Sequence, residues 1–363
     1  MLWVPTKKSY MKHFYLNSDN ISIDMDGVEY LLNLYQKNKN EELLQLIEAV
    51  KEKRKNDNTL YLIIPQYQSS ICFDDCKYCG FRKSNKSVPR KYLSDSEFKE
   101  EFNLILDWGY RVVEFVYSTD LNQNSNTISK RLIVASEIAK SRNIEIKLGL
   151  NAFSFPHSND YKLLKENGLD FFVQWMETYN KMTYQKWHKS SSIKFDFDLR
   201  LSTYNRAIEG GIENYGLGVL LGINDWREDV YDILKHAFTL KNEYGKAPHI
   251  FGIPRVKYNV RQNTVNTKYL VNDKDFIFIA NLYRFFFPST KLFLNTREDI
   301  LLNEELLTVG GDIFTIDCGT FPGFYIHPNS LIDNIGQFKT FQYNKDSVLN
   351  IVKQNNLKIC NYW

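Results

Sequence analysis

Short apolar runs alternate along the chain with segments whose apolar residues recur at helical spacing. The runs are LYLIIP (60–65), RVVEFVY (111–117), IEIKLGL (144–150), DFFVQW (170–175), ENYGLGVLL (213–221), PHIFGIP (248–254), KLFLN (291–295) and DIFTI (312–316). Each is long enough for one strand, and near-continuous apolar character is what a strand buried on both faces requires. Most are followed by segments with helix starts and stops: Ser94 is placed to cap DSEFKEEFNLILDW, which ends at Gly109, and Ser129 to lead into KRLIVASEIAKS. Ahead of the first strand, residues 26–54 carry two more helical patterns; the second, Asn40 to Lys53, puts Leu43, Leu44, Ile47 and Val50 on one stripe. Strands separated by helices imply right-handed parallel crossovers, and eight such strands predict an α/β fold, a (β/α)8 barrel of the TIM type; a doubly wound open sheet is the competing arrangement. No repeat or linker divides the chain. The expected organisation is an N-terminal helical extension (1–58), a barrel (59–325) and a C-terminal tail packed on it (326–363).

A barrel concentrates its chemistry on the loops that follow the strands. Polar residues stand there: Cys72, Cys76 and Cys79 after the first run, Asp120 after the second, Asn151 after the third and Glu177 after the fourth. Arg255 follows the sixth, Arg297 and Glu298 the seventh, and Asp317 with Cys318 the eighth. Composition narrows what such a pocket takes. With 46 Lys and Arg against 43 Asp and Glu, the net charge is +3; no basic block is dense enough to suggest nucleic acid as a partner. The apolar runs fall far short of the roughly 20 residues of a membrane-spanning helix, and the N-terminus lacks a signal-peptide apolar stretch. Small molecules are the expected ligands.

Five cysteines are an odd number, with three crowded between residues 72 and 79. This is no disulfide framework; it points to thiolates kept reduced for metal or redox work, hence to the cytoplasm. The loop SSICFDDCKYCGFRKSN (69–85) holds them as CxxxCxxC. Thiolates are soft ligands suited to iron–sulfur clusters or zinc. A closed zinc site wants four ligands, and the nearest downstream histidine is His157. A three-ligand site with one coordination position open, as in a [4Fe-4S] cluster held by three cysteines, is the reading the spacing favours over zinc or plain thiols.

With an aromatic residue, Tyr78, before its last cysteine, this loop resembles the signature of the radical S-adenosylmethionine (SAM) superfamily. Further segments narrow the resemblance: IPQYQSSICFDDCKYCGFR (64–82), WMETYN (175–180), DLRLSTYNRAIEGGIENYGLGVLLGINDWRED (198–229), IPRVK (253–257), NTREDILLNEELLTVGGD (295–312) and CGTFPGFY (318–325). In this order they resemble the aromatic amino acid lyase family, which includes tyrosine lyases of thiamine biosynthesis and of hydrogenase maturation and a tryptophan lyase of thiopeptide biosynthesis. The resemblance spans residues 60–363.

The resemblance implies a radical SAM barrel in which Cys72, Cys76 and Cys79 hold a [4Fe-4S] cluster whose open iron binds SAM. It implies a 5'-deoxyadenosyl radical that takes hydrogen from the amino group of a free aromatic amino acid, after which the Cα–Cβ bond breaks. For tyrosine the products are dehydroglycine (2-iminoacetate) and p-cresol. By the same resemblance, Tyr78, Ser118, Asp120, Glu177 and Arg200 contact SAM, with Ser118-Thr119-Asp120 replacing the family's Gly-Glu-type segment. Arg297 matches the arginine expected to clamp the substrate carboxylate, and Thr315 and Cys318 stand at the substrate end. An electron donor such as flavodoxin or ferredoxin and a downstream synthase are the implied partners.

Three departures bear on substrate: the Ser118-Thr119-Asp120 segment, Met176 in place of a glutamine, and Thr315-Ile316-Asp317-Cys318 after the last strand. They keep open a tryptophan lyase or another divergent aromatic amino acid enzyme and, from another class, a non-catalytic iron–sulfur barrel. For Arg206, Arg255 and Glu298 a structural ion-pair role is the plainer expectation. The same holds for Cys318 as a buried thiol, and Cys360 is read as structural.

Overall fold

The computed structural model describes residues 21–39, 45–51, 58–257, 265, 267–316, 318–327, 336–341, 343 and 345–360. All eight apolar runs are strands: β1 (Thr59–Ser69), β2 (Val112–Tyr117), β3 (Lys147–Asn151), β4 (Phe171–Val173), β5 (Asn214–Gly218), β6 (Ile250–Gly252), β7 (Lys291–Leu294) and β8 (Gly311–Phe314). Neighbours pair in parallel in sequence order. β1 closes the ring by pairing with both β2 (Ile63 with Val112) and β8 (Tyr61 with Ile313). The result is a (β/α)8 barrel, and the open-sheet alternative is overturned by that closure. A ninth strand, β9 (Lys358–Cys360), pairs with the start of β1, Thr59 opposite Lys358.

The helices follow the sequence signals closely, with one shift. Helix α1 (Met25–Gln36) precedes the barrel, and residues 45–51 are helical; the rest of the Asn40–Lys53 pattern includes residues outside those described. Ser94 caps α2 (Asp95–Asp107) through a capping box with Glu97, and Gly109 leaves it at φ +90°. α3, however, is Ser125–Ser141, five residues longer at its start than a cap at Ser129 suggests. Asn124 is the cap: its side chain accepts from the Thr127 amide while Thr127 Oγ1 accepts from the Asn124 amide, a reciprocal pair that outcompetes a later start. Ser129 is buried inside the helix.

Two features position the cavity. Ile63, Val112, Phe171, Val173, Ile250 and Ile313 fill the barrel interior below it, each apolar side chain contributing about 1.5–3 kcal/mol by leaving water. Above this plug, strand alternation decides which side chains enter the lumen. After β4 the inward parity continues through Trp175 and Glu177, so Met176 turns out and packs against Tyr184 and Phe197. The Met176 departure therefore falls in the core, not in the pocket where the sequence comparison placed it.

Candidate active site

β1 delivers the cysteine loop to the C-terminal mouth of the barrel, and this loop is fixed by its neighbours rather than by regular structure. The Phe73 amide donates to the Thr119 carbonyl (2.9 Å) and the Lys77 amide to the Trp187 carbonyl (3.2 Å). Arg90 donates to the carbonyls of Ser70, Phe81, Arg82 and Asn85, tying both ends of the loop to one guanidinium. Asp74, buried, accepts from Thr119 Oγ1 (2.5 Å), Ser192 Oγ (2.6 Å) and the Lys194 amide (3.1 Å). Cys72, Cys76 and Cys79 all line one cavity of about 1310 Å³, its open mouth included.

Burial raises all three thiols, Cys72 to about 12. They are protonated as the protein stands, and metal binding displaces those protons. Among the described residues no three His, Cys, Asp or Glu side chains close on a single metal ion. Three soft thiolates on one loop suit an iron–sulfur cluster in which each takes a different iron. The nearby Lys194 ammonium opposes the burial of Cys76 and Cys79 and favours their charged forms.

Beside the cysteines lies a satisfied ionic group. Glu177 accepts from Lys194 Nζ (2.6 Å), with Arg200 Nη2 at 3.6 Å. Burial opposes its charge, but Lys194 and Arg200 outweigh it and hold the carboxyl below its ordinary value. Glu177 sits at φ +70°, a sparsely populated conformation for a side-chain-bearing residue. The backbone is held there because its carbonyl accepts from the Leu220 amide and the next two residues are tied to Asp229. Arg200 donates through Nε and Nη2 to the Trp175 carbonyl (3.0 and 2.5 Å). Tyr78 lies over this group with its hydroxyl 2.8 Å from His188 Nε2. His188 Nδ1 is 2.7 Å from the Tyr184 carbonyl, an acceptor, so Nδ1 carries the proton and Nε2 accepts from Tyr78. Burial and Lys194 push His188 down to about 3, keeping it neutral.

The β7–β8 side differs. Arg297 lines the cavity and lies over the Phe338 ring, 3.7 Å from its centroid. Among the described residues no carboxylate pairs with its guanidinium, and burial lowers its pKa. Thr315 and Cys318 line the same wall; burial raises the Cys318 thiol to about 12. Trp175 lies against Gly218 and Gly252 so closely that a Cβ at either would fall 2.3 and 2.5 Å from its ring. Those glycines make the space in which the indole forms a wall with Phe293, 6.5 Å away between centroids.

Of the residues singled out from sequence, Cys72, Cys76, Cys79, Tyr78, Ser118, Asn151, Glu177, Arg200, Arg297, Thr315 and Cys318 come together on this cavity. Ser118 does so with its hydroxyl already donating to the Ser69 and Ile71 carbonyls. Asp120 does not line the cavity. Its buried carboxylate accepts from Ser69 Oγ (3.0 Å) and the Asn122 amide (3.0 Å) just beyond β2. Arg255 and Glu298 form a buried bidentate pair outside the cavity (2.9 and 2.6 Å). Arg206 donates to the Phe155 and Leu199 carbonyls. Asp317 lies outside the described residues.

Sequence reasoning missed Lys194, Glu114, Gln337 and Phe338. Lys194 lies on a 3-10 turn (Ile193–Phe195) with no motif around it. Gln337 and Phe338 come from the tail: Gln337 accepts from Tyr67 Oη (2.8 Å) and reaches Cys79 Sγ (3.8 Å). The one available signal was Glu114, a charge inside an otherwise apolar strand.

Residues 67–236 match the model of the radical SAM superfamily. The chain is 27% identical over 275 residues to 2-iminoacetate synthase of Escherichia coli (strain K12), covering 75% of this chain and 70% of that protein. Its fold superposes on HydG, a maturase of the [FeFe]-hydrogenase, with a TM-score of 0.86 at 25% identity, over 99% of this chain and 77% of that one. Methylornithine synthase (PylB) shares the fold at 18% identity, with a TM-score of 0.69 over 96% of this chain and 97% of that one. Radical SAM enzymes use a [4Fe-4S] cluster and SAM, the cofactors that three cysteines at the mouth of a parallel barrel suit. Residues 67–236 are thus matched as a radical SAM domain, and the chain is similar to 2-iminoacetate synthase and, in fold, to HydG.

Proposed function

We propose that this protein is a carbon–carbon lyase that cleaves the Cα–Cβ bond of free tyrosine, giving dehydroglycine and p-cresol. The observation that carries this reading is Arg297: a guanidinium without an anionic partner among the described residues, in the cavity that holds the three cysteines. A buried cation left unpaired is costly, and a substrate carboxylate in a two-pronged contact relieves that cost.

When bound at Cys72, Cys76 and Cys79, the cluster supplies the electron that releases a 5'-deoxyadenosyl radical from SAM, and this is the cofactor's own chemistry. The protein's residues orient and exclude. Tyr78, fixed by His188, and the Glu177–Lys194–Arg200 group form the SAM side, with Ser118 shaping the wall beside them. Arg297 holds the substrate carboxylate, Thr315 and Cys318 border it, and Trp175 with Phe293 flank the ring. The barrel is assigned to 59–325, with the segments before and after it as extensions. The tail carrying Gln337 and Phe338 then belongs to the site. A flavodoxin or ferredoxin as reductant and a synthase consuming dehydroglycine are the partners this chemistry calls for.

The test is mass spectrometry of anaerobic reactions of the reconstituted protein with SAM and dithionite, tyrosine in one and tryptophan in another. Deoxyadenosine with p-cresol from tyrosine is the expected result. Deoxyadenosine rising only with tryptophan would replace the substrate assignment, and no SAM cleavage in either reaction would favour a non-catalytic iron–sulfur barrel.

A further inference from the structure

Glu114 is the one carboxylate in the middle of the otherwise apolar strand β2, and it points into the lumen at the cavity wall, one inward step above Val112 of the apolar plug. It is 4% exposed. One of its oxygens accepts from the Asn151 side chain; the other, Oε1, has no partner. An unsatisfied buried carboxyl oxygen costs about 1–3 kcal/mol or more, and nothing in the packing of β2 asks for one. The apolar neighbours on the strand, Val113 and Phe115, face the helices and are fully buried.

The position of Glu114 relative to Arg297 gives this oxygen a use. Glu114 and Arg297 line one cavity together with Tyr67 and Cys318. The cavity thus has a cationic pole at Arg297 and a polar floor at Glu114 with Asn151. Trp175 and Phe293 line the same cavity.

We infer that Glu114, held by Asn151, is a specificity-determining residue that hydrogen-bonds a hydroxyl on the aromatic ring of the amino acid substrate. This rests on the lyase reading and adds to it the residue that chooses the ring. Burial raises the Glu114 carboxyl to about 8, so at neutral pH it carries a proton. With Asn151 donating to one oxygen, the proton sits on the other and is offered to the cavity. A phenol oxygen accepts it and still donates; an indole N–H has no lone pair and would set donor against donor. Phenylalanine would leave the carboxyl buried and unpaired, and sites built around such a group reject the analogue lacking it by large factors.

The experiment measures binding without turnover. Reconstituted protein with SAM and no reductant is titrated with tyrosine, phenylalanine and tryptophan, for the unaltered chain and for Glu114→Leu and Glu114→Gln, with melting temperatures recorded for each. The expected result is tyrosine bound at least about 100-fold more tightly than phenylalanine, the worth of a buried partner lost. Glu114→Leu should shrink that ratio to below about tenfold, while Glu114→Gln, which keeps a donor and an acceptor in the same volume, should preserve most of it. Equal binding of tyrosine and phenylalanine by the unaltered chain, or an unchanged ratio in Glu114→Leu, would overturn the inference and leave the lyase reading standing. If Glu114→Leu does not fold, Asn151→Leu, which removes the donor that holds the carboxyl, takes its place: a shrunken ratio supports the inference and an unchanged ratio overturns it. Failure of any aromatic amino acid to bind the unaltered chain would overturn both.

Discussion

Arg255 and Arg297 follow adjacent strands, β6 and β7, at the same end of the barrel, and they meet opposite fates. Arg255 is gripped from two sides: Glu298 takes Nε and Nη2, Asp273 takes Nη2 again at 2.5 Å, and the Val271 carbonyl takes Nη1. Arg297 lies on Phe338 and keeps its donors for the cavity. The two teach that an arginine at a barrel mouth is structural or functional according to what its fork has left to bind. Motif position alone does not separate them. The walls of the cavity repeat the lesson. On the cysteine side, Glu177 is paired with Lys194, Arg200 donates to the Trp175 carbonyl and Asp74 accepts from Thr119, Ser192 and the Lys194 amide, which suits a cofactor that is always the same. On the substrate side, Arg297 and Glu114 retain unused capacity.

The comparison can be broken in three places. The largest effect belongs to Glu298→Gln, which strips a bidentate partner from buried Arg255 and also frees Lys257; chemical denaturation should show a loss of about 3–5 kcal/mol. A loss under about 1 kcal/mol would mean that Arg255 is as unencumbered as Arg297. Arg297→Ala should act the other way: folding stability within about 1 kcal/mol of the unaltered chain, and kcat/KM for the amino acid reduced by at least about 100-fold, or about 2.7 kcal/mol of transition-state stabilisation. Slow SAM cleavage uncoupled from product should persist, and unchanged lyase kinetics would remove the carboxylate assignment. The smallest effect is expected of Phe338→Leu, which takes away the ring under Arg297. A cation–π contact contributes about 0.5–2 kcal/mol, so KM should rise a few-fold with kcat nearly constant.

The barrel was legible because strands buried on both faces must be apolar throughout, and all eight announced themselves that way. β9 was not, since three residues beginning with Lys358 carry no periodicity and gain their structure only from a partner at the other end of the chain. Within the site, the cysteine spacing and the residues just after the strands were readable. Lys194 was not, because its role arises from a turn that brings it to Glu177 across seventeen residues. Met176 was misjudged because proximity in sequence to a strand end says nothing about parity. Strand alternation would have turned Met176 outward, and the same count would have turned Glu114 inward.

The pairing of Thr59 with Lys358 spans 299 residues. The strand that presents the cysteine loop therefore has its first rungs bonded to some of the last residues described, and a contact of such long range is reached late in folding. During synthesis, β2 through β8 emerge before β9, and the base of β1 waits for its edge partner throughout. A nascent chain can thus hold all three cysteines while the platform beneath them is unfinished.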